Sequence, residues 1–164
     1  MRKVFLLLFG VFIMTSCAQV YFVTPQPQKG TVIKSFIDNL QGVYSDSLLT
    51  VEVSQKEIVV DGEHFSLVKN EPNEHEVLIR YYNDFYFASF KDSLYYSVFI
   101  GKFYEDKLAV YMLNADQRSI DILKRFVTAE QIDANGSYLI NPSKKEFFTL
   151  FDSGVFDVVC VMKK

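Results

Sequence analysis

The 164-residue sequence has no tryptophan, only two cysteines and two histidines, and no block of basic residues. Two cysteines exclude a fold held by several disulfides and a four-cysteine zinc site. With 17 basic against 20 acidic residues, the chain lacks the positive surface of an electrostatic nucleic-acid binder. It is nevertheless 49% hydrophobic and 16% aromatic. These apolar side chains suffice for the core of one globular domain.

Long apolar runs are equally scarce, and the main one lies at the amino terminus. The run Val4–Met14 carries no charge; Arg2 and Lys3 precede it and small residues follow it. A basic start, a short apolar segment and small residues at its end are typical of a secretory signal peptide. The run is too short for the roughly 20 residues that cross a bilayer as a helix.

The end of this segment, Met14-Thr15-Ser16-Cys17, resembles the lipobox of bacterial lipoproteins, with methionine in place of the usual leucine. The resemblance implies cleavage before Cys17 and acylation of Cys17, which would make the membrane a partner of the chain. The alternative is ordinary cleavage after Ala18, because Ser16 and Ala18 also satisfy the small-x-small rule. That cleavage would release a soluble protein.

We therefore predict a lipoprotein signal peptide over residues 1–16 and a lipid anchor with a flexible tether over 17–31. The segment Thr24–Gly30 is polar and contains two prolines, which suits a spacer. A single β-rich domain is expected over 32–164. No acidic residue occurs between Cys17 and Asp38, and acidic residues just after the lipidated cysteine resemble a surface-export signal in some Gram-negative lineages. We therefore expect an envelope protein facing the periplasm.

The pattern of the domain is mainly that of β-strands. Period-two alternation at Leu49–Val53 and the Asp61-Gly62 turn between two apolar runs predict strands and a hairpin. Similar segments follow up to Leu113, separated by short polar breaks such as Asn83-Asp84. This spacing predicts an antiparallel meander that closes into a barrel. Gly42-Val43-Tyr44 resembles the Gly-x-Trp corner of lipocalin-like (calycin) barrels, with tyrosine in place of tryptophan.

Two short helices are predicted near the carboxyl terminus. Ile120, Leu123 and Val127 recur at helical spacing, with Asn114 or Asp116 as the N-cap. Ser143 and Glu146 have the spacing of a capping box at the start of the second helix. A last buried strand is expected over 155–162, and it contains Cys160. Because no histidine or lysine adjoins it, we interpret Cys160 as a structural thiol.

Aromatic residues are concentrated between positions 81 and 104. Neighbouring side chains of a strand point to opposite faces, and Tyr82, Tyr86 and Tyr96 share one parity. These three tyrosines are therefore the candidate ligand-binding residues. The favoured function is a non-enzymatic module that binds a small apolar ligand. For the aromatics as a group, however, the favoured interpretation is a core on both sides of the sheet, inside the barrel and beneath the two helices.

Two other functions remain as alternatives. One is a protein-interaction or partner-neutralising role in the envelope, which would go with a filled barrel. The other is an undetected hydrolase that uses His64 or His75. No catalytic constellation, metal-binding motif or cofactor motif is recognisable, and the spacing of the two histidines matches no metal site. The sequence therefore predicts no cofactor and no nucleic-acid partner.

The lipobox resemblance gives a direct test. In a bacterial host that processes lipoproteins, the wild-type protein should partition with membranes, whereas Cys17→Ser should appear in the soluble fraction. Cys160→Ser is the matched control and should partition like the wild type. Membrane partitioning of Cys17→Ser would contradict lipid anchoring at this position.

Overall fold

The structure is a computed structural model that describes residues 18–164, so Cys17 and the predicted signal peptide lie outside the described residues. The described chain contains two α-helices, α1 (Gln117–Phe126) and α2 (Lys144–Asp152), and a 3-10 helix at Asp38–Leu40. The thirteen strands are β1 (Val20–Phe22), β2 (Thr31–Val32), β3 (Gly42–Ser45), β4 (Thr50–Val53), β5 (Glu57–Val60), β6 (Glu63–Leu67), β7 (Glu76–Tyr82), β8 (Phe85–Asp92), β9 (Tyr95–Tyr104), β10 (Lys107–Leu113), β11 (Ala129–Gln131), β12 (Tyr138–Ile140) and β13 (Phe156–Lys163).

Nine of these strands close into a barrel, in the order β3-β4-β5-β6-β7-β8-β9-β10-β13. The predicted mainly β, barrel-like domain with two helices near the carboxyl terminus is thus confirmed. The barrel is closed by the antiparallel pair β13–β3, which the single register pair Lys163–Ser45 joins. The seam between β3 and β13 is therefore the shortest contact in the ring.

The odd number of strands requires a departure from the predicted meander. Strands that alternate in direction cannot close a ring of nine, so one neighbouring pair must be parallel. That pair is β6–β7, in which Ser66 lies opposite Glu76. Residues 68–75 carry the chain back along the barrel between these strands. Lipocalin barrels, by contrast, have eight strands in an up-and-down arrangement.

A smaller sheet branches from the barrel at β9. The second half of β9 pairs with β10, while Tyr96 in its first half pairs with Phe22 of β1. Strand β12 pairs in parallel with β1, and β11 completes this branch. Both helices pack with this branch against the outer face of β8 and β9, where Phe87 and Ile100 are fully buried.

Local signals explain where both helices begin. The Asp116 side chain accepts a hydrogen bond from the Ser119 amide at 2.9 Å and caps α1. At α2, the predicted capping box is present, with the Ser143 and Glu146 side chains each accepting from the other's backbone amide. The buried face of α2 includes Phe147 and Leu150, as the spacing predicts.

The segment predicted to be a flexible tether is instead packed onto the domain. Val20 and Phe22 are buried, and the Phe22 ring lies 6.0 Å from that of Phe147. The Gln26 amide donates to the Ser89 hydroxyl, which in turn donates to the Gln26 carbonyl, both at 3.0 Å. The folded unit therefore starts before residue 32. Val20, Tyr21 and Phe22 are residue types that favour strands, but this run is short and the prolines and glutamines after it obscure the signal.

This packing predicts a stability difference between neighbouring residues. Phe22→Ala should lower the free energy of unfolding by about 3–5 kcal/mol, because the ring is buried and its removal leaves a cavity. Val23→Ala, at an exposed side chain, should change it by no more than about 0.5 kcal/mol. Urea unfolding followed by circular dichroism measures both. Equal, small effects would mean that the segment is not docked.

Candidate functional site

The barrel encloses a cavity of about 600 Å³. Most of its wall is formed by apolar side chains of the barrel strands, among them Val51, Ile58, Ile79 and Leu108. Two groups of aromatic rings stand inside the barrel, one beside the β9–β10 hairpin and the other further along the strands.

The first aromatic group closes one end of the barrel. The Phe103 ring packs edge-on against Tyr44 at 5.4 Å and Tyr86 at 5.2 Å. Tyr44 is fully buried, and its hydroxyl donates to the Leu40 carbonyl at 2.9 Å. The Lys164 ammonium lies 5.7 Å from the centroid of the Tyr44 ring. The 3-10 helix and the carboxyl terminus thus seal this end.

The second aromatic group lies further from the sealed end, toward the β8–β9 hairpin. Phe90 packs edge-on against Phe65 at 4.8 Å and against Phe99 at 5.8 Å. The cavity persists because small side chains alternate with these rings: Ala88, Ser97 and Gly101 also face it. Gly101 pairs with Tyr86, and its missing side chain leaves space beside the Tyr86 ring.

Polar residues line the cavity mainly away from the sealed end. Ser97 lies beside the β8–β9 hairpin, whereas Phe103 lies beside the β9–β10 hairpin at the other end of β9. Asn114 follows the end of β10 and bridges to Gln19. Both Asn114 and Gln19 line the cavity, and so does Ala18, the first described residue.

Glu63 is a polar group of the cavity wall that the sequence did not predict as a ligand-binding residue. It is the first residue of β6, and its side chain lines the cavity on the same strand face as Phe65. Its Oε2 atom is buried and has no hydrogen-bond partner among the described residues. Burial raises the pKa of this carboxyl, while the charge of nearby His75 acts in the opposite direction. The sequence did contain a signal for this position. Glu63 follows the Asp61-Gly62 turn and is two residues from the apolar Phe65, so both side chains point to the same face of the strand.

The three predicted tyrosines do not come together. Tyr86 lines the cavity, and burial, followed by the neighbouring Tyr81 and Asp84, raises its pKa. Tyr82 packs outside the barrel against Phe148 of α2 at 4.6 Å. Tyr96 is also outside, in the core beneath the helices, where its hydroxyl donates to the Glu71 carboxylate. Burial and this hydrogen bond raise the pKa of Tyr96.

The two histidines lie outside the cavity. His64 is exposed and its Nδ1 lies 3.0 Å from Glu57 Oε1. His75 is exposed at the end of the segment that connects β6 to β7. Residues 18–164 contain no group of three or more His, Cys, Asp or Glu side chains arranged to hold a metal ion. The hydrolase alternative requires His64 or His75 in a cleft beside a carboxylate or hydroxyl; His64 has the Glu57 carboxylate beside it, but the pair is on the surface and not in the cavity.

Cys160 lines the cavity as a half-buried free thiol. Burial, with a smaller contribution from the Asp46 carboxylate, raises the pKa of Cys160 from 9.0 to about 11. Since the thiolate is the reactive form, this environment makes the thiol inert.

The raised pKa predicts slow alkylation. In a Cys17→Ser variant, where Cys160 is the remaining thiol, iodoacetamide at pH 8 should react about 100-fold more slowly than with an ordinary thiol. The rate should rise with pH up to about 11, since the thiol stays protonated below its pKa. The same variant unfolded in urea is the control and should react at the ordinary rate. Ordinary reactivity of the folded protein would contradict a buried thiol.

None of the helices in residues 18–164 has the length and apolar character needed to cross a membrane. Comparison of the chain with protein-family models, with curated proteins and with solved structures gives no match. The geometry of the cavity is therefore the basis on which a function is proposed.

Proposed function

We propose that this chain is a lipid-anchored envelope protein that binds a small, largely apolar ligand inside its barrel. The observation that carries the proposal is the cavity of about 600 Å³ with its mainly apolar wall. A protein-interaction role would go with a filled interior, and the cavity favours ligand binding over that alternative.

The size of the cavity supports this proposal. Ligand sites in proteins typically occupy about 300–1,000 Å³ and have apolar walls with a few polar groups. An eight-stranded barrel is just wide enough to be filled by its side chains or to hold one small ligand. Nine strands, with Ala88, Ser97 and Gly101 facing inward, leave more room. The site we propose is centred on Tyr86, Phe90 and Phe99, without Tyr82 and Tyr96.

The position of Ala18 supports membrane anchoring close to the cavity. Ala18 lines the cavity, and Cys17 precedes it directly in the sequence. If Cys17 is acylated, the polar end of the cavity lies beside the anchor, and the ligand can be exchanged with the membrane. The location that goes with this proposal is a membrane surface of the cell envelope, with the domain facing the periplasm.

Binding is favoured over catalysis by the chemistry of the wall. Cys160 is the one thiol that residues 18–164 contribute to the cavity wall, and its raised pKa keeps it protonated. No histidine or lysine of the described residues lines the cavity to act as its base. The proposed role is therefore to hold and release a ligand.

Filling the cavity tests the proposal. N-phenyl-1-naphthylamine, a neutral probe that fluoresces in apolar surroundings, should bind the wild type. Ala88→Phe should weaken its binding at least about 10-fold, because the added ring occupies the cavity. Val43→Phe adds the same ring at an exposed position and should bind like the wild type. An unfolding midpoint close to that of the wild type shows that each variant is folded. Undiminished binding by folded Ala88→Phe would locate the probe elsewhere and contradict the proposal.

A further inference from the structure

We infer that the ligand is an amphiphile with a protonated amine head group, which pairs with the Glu63 carboxylate while its apolar body fills the barrel. This inference rests on the proposed function and adds the charge of the ligand. It is drawn from one buried oxygen atom and from the distribution of charge around the cavity.

The buried oxygen is Glu63 Oε2, which has no hydrogen-bond partner among residues 18–164. Nearly all buried polar atoms in proteins have such a partner, so an unpaired carboxylate oxygen needs a physical explanation. Glu63 lies on the cavity wall. A bound molecule that donates a hydrogen bond at this point would supply the missing partner.

Among the described residues, the cavity wall holds no cation that could neutralise Glu63, and the charge of His75, which acts against the raised pKa of Glu63, lies outside the wall. Its ionisable side chains are Glu63, Tyr86, Asp116 and Cys160, and no lysine, arginine or histidine of the described chain lines it. Asp116 is exposed, and its two carboxylate oxygens accept from the amide and hydroxyl of Ser119 at 2.9 and 3.1 Å. Glu63 is thus the carboxylate that remains available for a ligand.

This charge distribution selects among amphiphiles. A carboxylate or phosphate head group would meet a like charge in poorly solvated surroundings, whereas an ammonium would form a charge-assisted hydrogen bond. A hydrogen bond to a charged group changes an affinity by about 10- to 100-fold. An apolar tail packs equally well in each case, so the preference should depend on the head group alone.

Three ligands of equal chain length test the inference: decylamine, decanol and decanoate, each used below its micelle concentration. Displacement of N-phenyl-1-naphthylamine gives their affinities. In the wild type, decylamine should bind about 10- to 100-fold more tightly than decanol, and decanoate more weakly than decanol. Glu63→Gln should bind the three with similar affinity. Glu63→Lys, which reverses the charge, should prefer decanoate.

The matched control is Glu52→Gln, because Glu52 is exposed on the outer face of β4; it should keep the preference for decylamine. If the wild type binds decanol but shows no preference for decylamine, the inference is wrong and the proposed binding function stands. If neither the probe nor decanol binds, both fail. A preference that persists in folded Glu63→Gln and Glu63→Lys would also overturn the inference, because Glu63 would then not be its cause.

Discussion

The tight hairpins between β7 and β10 determine which side chains face the interior of the barrel. The chain reverses over residues 83–84, 93–94 and 105–106, so each pair of facing residues has numbers of opposite parity: Phe90 faces Ser97, and Val110 faces Gly101. Even-numbered residues therefore point inward on β8 and β10, and odd-numbered ones on β9. A loop one residue longer would turn one of these strands inside out.

With this register, the side chains of β8 and β9 are mainly apolar on both faces of the sheet, whereas one face of an antiparallel sheet is commonly polar and solvated. Their outer side carries Phe87 and Ile100, which the helices bury completely. Their inner side alternates rings with Ala88 and Gly101 and leaves a cavity. The outer face thus belongs to one hydrophobic core, and the inner face belongs to a second one that surrounds the cavity. One hairpin therefore contributes both to a packed core and to the wall of the proposed ligand site.

Much of the architecture could be predicted from local patterns, because hairpins and capped helices depend on residues that are close in sequence. The Asp61-Gly62 turn and the Ser143–Glu146 capping box are examples. The parallel pair β6–β7 joins residues close in sequence, such as Ser66 and Glu76, but no turn motif between them signals that the strands run parallel. The docking of Phe22 beneath α2 joins residues far apart in the sequence, so no local pattern signals it. For the site, the cluster of aromatics at 81–104 was informative. Tyr82, Tyr86 and Tyr96 all have even numbers, but the parity that faces the barrel interior changes at each tight turn, so the three side chains do not share one face. Glu63 was missed because charged residues near turns are usually solvated.

The position of β1 also has a consequence for the order in which the chain folds. Its partners are Tyr96 on one side and Tyr138–Ile140 on the other. Since a chain is made from its amino terminus, the first strand to leave the ribosome has no complete binding site until nearly the whole protein has followed. The barrel, which contains β3–β10, can close only after β13 has been made. β1 docks between β9 and β12 at a similarly late stage. If Cys17 is acylated as we propose, the modifying enzyme could therefore act before Val20–Phe22 has paired with its partner strands.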